Sequence, residues 1–120
     1  MTPAVTQAVE AADNPISTAV KLALYYELWV SLASMLRSYA GVHGLHLKKQ
    51  ADVTASANHI AVRCEEKRLS LYREDANVLW TRENGSSGRM EITEVGRLRS
   101  NASEEELDLA AEAWIRELMG

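Results

Sequence analysis

The stretch that decides the fold is His59-Ile60-Ala61-Val62-Arg63-Cys64-Glu65-Glu66-Lys67-Arg68-Leu69-Ser70-Leu71-Tyr72. Its apolar period is two. Ile60, Val62 and Cys64 alternate with Ala61, Arg63 and Glu65, and Leu69 and Leu71 alternate with Arg68, Ser70 and Tyr72. Successive side chains of a strand point to opposite faces, so each run predicts a strand with one buried face. Glu65-Glu66-Lys67 is too short for a parallel crossover and forces an antiparallel hairpin.

The same period continues downstream. Val78 and Trp80 alternate with Leu79 and Thr81. Met90, Ile92 and Leu98 share a parity, opposite Glu91, Thr93, Val95 and Arg97. Turn residues separate the runs at Glu74-Asp75-Ala76-Asn77 and Asn84-Gly85-Ser86-Ser87-Gly88. The pattern predicts a four-stranded antiparallel meander, with Gly96 marking a bulge or bend in the last strand.

Beyond the strands, Ser103-Glu104-Glu105-Glu106 reads as a capping box, in which serine and the third-position glutamate satisfy each other's free N–H groups. Leu107, Ala111, Trp114, Ile115 and Leu118 then line one face of a helix from about Ser103 to Met119.

Before the strands, Asn14-Pro15 reads as a helix cap and first turn. That helix is expected to run to about Tyr39, stopped by Gly41 and Gly44. Leu22, Leu24, Tyr25, Leu28, Trp29, Leu32, Met35 and Leu36 form a broad apolar arc. Ala23, Glu27, Ser31, Ser34 and Ser38 lie on the opposite edge. Ala19, Tyr26, Val30 and Ala33 form a second apolar shoulder, which suggests a second partner surface. Residues 41–57 read as a connection and residues 1–13 as a mobile arm. The expected architecture is α+β in two layers, a single domain over residues 14–120. A long N-terminal helix and a C-terminal amphipathic helix cover the same face of the sheet.

The chain has 120 residues and a formal net charge of −4, which suits one domain and argues against a protein that coats nucleic acid. The charge is uneven: residues 1–47 carry −1, residues 48–100 carry +2 and residues 101–120 carry −5. The acidity therefore belongs to the last helix and its cap, and the strand region is mildly basic. Cys64 is the one cysteine, so no internal disulfide forms, and a lone thiol suits a reducing compartment. The N-terminus lacks the basic start and apolar run of a secretory signal. The longest apolar stretch, Ala19 to Ala40, is interrupted by Lys21, Glu27 and Arg37 and reads as a buried helix rather than a membrane span. A cytoplasmic protein without membrane contact is the expectation.

No catalytic set stands out. His43, His46, His59 and Cys64 could in number suit zinc, but His59 and Cys64 lie five apart on one strand and point to opposite faces. Cys64 shares parity with Ile60 and Val62, so burial would leave its thiol inert. No metal, cofactor or nucleophile is expected. Glu27 in its apolar helix, or His59, could anchor a pocket between sheet and helices, the form an enzymatic or small-molecule site would take. Arg63, Arg68, Tyr72 and Arg97 share the outer sheet face and could take single-stranded nucleic acid by phosphate contact and base stacking. Tyr26, Val30 and Ala33, with Leu79 and Val95 on the outer sheet, are candidates for a protein interface. The leading expectation is a non-enzymatic binding or assembly module acting as a homodimer, with another protein partner also possible. By element order alone the chain resembles the cystatin-like roll, a likeness of architecture that implies no function.

Overall fold

The computed structural model describes residues 15–101 and 103–120. The arm expected over residues 1–13, and the capping Asn14, lie outside the described residues. Helix α1 spans Pro15–Leu47. Seven strands follow: β1 (Asp52–Ala55), β2 (His59–Cys64), β3 (Lys67–Glu74), β4 (Asn77–Arg82), β5 (Ser87–Ile92), β6 (Arg97–Ser100) and β7 (Ser103–Glu106). Helix α2 (Leu107–Met119) closes the described chain. The strands form one antiparallel sheet in chain order, so the fold is α+β with an open meander.

Among the described residues the sheet has seven strands, not the four expected. The run expected as one strand across Gly96 is two, β5 and β6. Gly96 takes a left-handed φ of 80° and its N–H donates to Thr93 at 3.0 Å, which closes a turn rather than a bulge. Strand β1 arises inside the expected connection, where Val53 pairs with Val62. Strand β7 replaces the expected capping box. Glu104 and Glu106 lie across from Arg99 and Arg97, and Arg97 makes ion pairs with both, at 3.6 Å and 3.8 Å. Cross-strand charge pairing competes with the cap here, and Glu106 stays extended with no side-chain bond to the helix N–H groups.

Helix α1 runs 33 residues, about 50 Å, through Gly41 and Gly44. It stops where Lys48 adopts φ 59° and the Lys49 N–H donates to the Gly44 carbonyl at 3.0 Å, a Schellman ending. Gly44 serves close approach: a Cβ there would lie 2.6 Å from the Lys49 carbonyl oxygen. The glycine expected to end the helix instead lets the following chain fold back against it.

One core joins all layers. Trp29, Leu32, Leu36 and Ala40 of α1 pack with Ile60, Val62, Leu69, Leu71, Val78, Ile92 and Leu98 of the strands. Ala110, Ala111, Ile115 and Leu118 of α2 complete the same cluster. Cys64 is buried among them. Trp29 donates its indole N–H to the Ser56 carbonyl at 2.8 Å, fixing α1 to the β1–β2 turn. Two lysines cap the C-terminal end of α2: Lys49 donates to the Met119 carbonyl at 3.2 Å and Lys67 to that of Glu117 at 3.3 Å.

Candidate functional site

Three surfaces carry chemistry. The first is a cleft of about 310 Å³ between the inner face of β4–β7 and α2. Its floor is Trp80, Met90 and Leu98, and its wall is Ala110, Ala113 and Trp114. Trp80, Met90 and Trp114 are only partly buried, because α2 leaves this end of the inner face uncovered. Gly88 pairs with Trp80 across the strands, and the indole lies where a Cβ of Gly88 would be. At the rim, Arg82 donates to Glu117 at 2.9 Å with its guanidinium largely buried. Its Nε has no partner among the described residues. Glu105 also lines the cleft and makes no ion pair among the described residues. Strand alternation explains the difference: Glu104 and Glu106 point outward to Arg97, and Glu105 points inward.

The second surface is the outer face of the sheet, which no helix among the described residues covers. Register brings His59 opposite Tyr72, and their rings stack at 4.5 Å with planes 8° apart. The His59 Nε2 is buried without a partner among the described residues. Leu79 and Arg89 continue the same row. Arg63 lies opposite Arg68, and neither guanidinium is ion-paired among the described residues. The Arg68 backbone N–H donates to Glu83 at 2.9 Å, which, with the Glu83 N–H, holds that carboxyl below its usual range. Arg99 binds Glu91 through a side-chain hydrogen bond that raises the guanidinium pKa further.

The third surface is the outward face of α1. Val20, Tyr26, Val30, Val42 and Leu45 are exposed there, Leu45 by 84%, and Leu22 and Leu47 are exposed towards the two ends of the helix, on the side that carries Trp29 and Leu36. By length and composition the stretch Thr18–Leu47 could cross a membrane. Its middle, however, is Trp29, Leu32, Leu36 and Ala40, each at most 6% exposed in the core. A bilayer position for those residues would strip α1 from the sheet.

The expected site residues are dispersed over these surfaces. Tyr26 and Val30 are about half exposed on α1, whereas Ala33 belongs to the core at 4% exposure. Leu79 is on the outer sheet face, but Val95 lies in the β5–β6 turn, not on the sheet. Arg63, Arg68, Tyr72 and Arg97 share the outer face. Arg97 is engaged by Glu104 and Glu106. Glu27 is exposed on α1 and His59 is on the outer face, so the two do not meet in a space between sheet and helices. His43 and His46 are on α1 rather than in a connection. Sequence reading missed the cleft, because the isolated Glu105 becomes visible only once Ser103–Glu106 is known to be a strand. No family model, no curated protein and no solved structure matches this chain.

Proposed function

We propose that this chain is a non-enzymatic binding or assembly module that acts as a homodimer, joined along the outward face of α1. The observation that supports it is the exposure of Val20, Tyr26, Val30, Val42 and Leu45 along a helix whose other face builds the core. Tyr26 and Val30, one helical turn apart and both about half exposed, form the apolar centre of that face, and exposed apolar patches mark contact surfaces. The polar groups on the same face are self-complementary. Glu27 and Arg37 are exposed and make no ion pair among the described residues. In an antiparallel two-fold pairing whose axis crosses α1 at the level midway between them, Glu27 of one copy faces Arg37 of the other, as an isologous interface requires. The reading keeps a cytoplasmic setting, supported by the lone buried thiol of Cys64.

Sedimentation equilibrium tests it. The expected species has twice the 13.3 kDa chain mass. Val30→Glu or Glu27→Arg yields monomer, and Glu27→Arg combined with Arg37→Glu restores the dimer. A wild-type monomer at the highest attainable concentration overturns the proposal, as does capture of α1 by neutral lipid vesicles in place of self-association.

A second reading, single-stranded nucleic-acid binding on the outer sheet face, draws support from Arg63, Arg68 and Arg89, which share that face with the Tyr72 ring. Against it, Arg63, Arg68, Arg89, Arg97 and Arg99 share that face with Asp52, Glu74, Glu91, Glu104 and Glu106. The charges balance, and phosphate binding favours a surplus of cations.

A further inference from the structure

We propose that the cleft between β4–β7 and α2 is a binding site for a small organic cation carrying an aromatic or branched apolar body. The cleft volume of about 310 Å³ falls at the lower end of small-ligand pockets. Its surface combines two indoles, Trp80 and Trp114, with the thioether of Met90. Indole faces attract cations through the ring quadrupole, and the attraction strengthens where water is excluded. The charged groups select the sign of the ligand. Arg82, the cation in the cleft, is neutralised by Glu117 at 2.9 Å. Glu105 is left as the unpaired charge of the cleft among the described residues, on the inward side of an otherwise outward-bonded acidic strand. An anion would meet the carboxylates of both Glu117 and Glu105, which outnumber the single guanidinium of Arg82. A quaternary or primary ammonium meets a free carboxylate and two aromatic rings.

The site is built rather than incidental. Gly88 leaves the space in which the Trp80 ring lies flat on the floor, where any Cβ would approach within 2.5 Å. The Arg82–Glu117 bond joins β4 to α2 and holds the cleft mouth at a set width. No residue of α1 lines the cleft, so this inference stands independently of dimerisation.

Titration calorimetry with benzyltrimethylammonium tests it, with phenylacetate and benzyl alcohol as the anionic and neutral comparators. The expected result is saturable binding of the ammonium alone. Glu105→Gln weakens it about tenfold, and Trp114→Leu weakens it by a similar factor, while Glu104→Gln on the outer face leaves it unchanged. Glu105 is exposed, so its amide variant retains the fold, which circular dichroism checks. Absence of saturable binding, equal or tighter binding of phenylacetate, or an unchanged affinity in Glu105→Gln each overturn the proposal.

Discussion

Gly88 lies beneath the indole of Trp80: the two residues are direct partners across β4 and β5, and a Cβ on Gly88 would stand 2.5 Å from the indole nitrogen. The ring covers the backbone of the facing strand because that strand has no side chain at this position. This pairing keeps Trp80 flat against the sheet and leaves the cleft above it open.

Gly88→Ala is therefore expected to push Trp80 out of position and into the cleft. Overpacking of this kind costs about 1–3 kcal/mol. Urea unfolding monitored by circular dichroism checks the loss. Combining Gly88→Ala with Trp80→Leu should recover part of it, because the two changes act at one contact and are not additive.

Tyr39 of α1 donates its hydroxyl to Asp108 of α2 at 2.7 Å. That hydrogen bond, with a smaller contribution from desolvation, raises the phenol pKa above its ordinary value. The folded state thus holds the phenolic proton more tightly than the unfolded state does. The resulting stabilisation is complete below the ordinary phenol pKa and is lost as pH rises through the folded value. Thermal unfolding should show a midpoint that falls on the alkaline side in the wild type, and Tyr39→Phe should flatten that fall.

Glu83 behaves in the opposite sense. The Arg68 N–H stabilises its ionised form and lowers its pKa, so the unfolded state binds the proton more tightly. Its contribution is present above the ordinary carboxylate pKa and disappears as pH falls through the folded value. Glu83→Gln should remove this part of the acid dependence while leaving neutral-pH spectra unchanged. An acid unfolding curve identical to the wild type would contradict the assignment.

Glu65 opens the two-residue β2–β3 turn with φ 57°, a left-handed conformation that a Glu side chain disfavours. Its ion pair with Lys49 is long, at 3.9 Å, and exposed, so it offsets little of that cost. Glu65→Asn supplies a residue that tolerates the left-handed region and is expected to stabilise the protein by about 0.5–1 kcal/mol. The same change at Glu66, where φ is not positive, should give no such gain. Paired chemical-denaturation curves for the two variants make the comparison.

The strands with a clean period of two were legible from the chain itself. Ile60, Val62, Cys64, Leu69, Leu71 and Val78 are all buried on one face, as their alternation with Arg63, Arg68 and Tyr72 predicts. Burial of one sheet face imposes that alternation, so the local pattern carries the information. The helix–strands–helix order followed for the same reason. The two edge strands were not legible. Asp52–Ala55 and Ser103–Glu106 have no apolar period, because neither buries a continuous face. Their strand conformation comes from partners, Val62 facing Val53 and Arg97 facing Glu106. Tertiary structure also decided where α1 ends. Gly41 and Gly44 permit a stop, but the close return of Lys49 over Gly44 carries the helix on to Leu47. The cleft belongs to this second class. Glu104, Glu105 and Glu106 read alike in sequence as a helix cap, and strand pairing alone turns Glu105 inward and its neighbours outward. The face that each central strand buries is therefore written in local periodicity. Which polar side chains meet is set by the folded chain instead, because cross-strand and helix–sheet contacts join residues far apart in sequence.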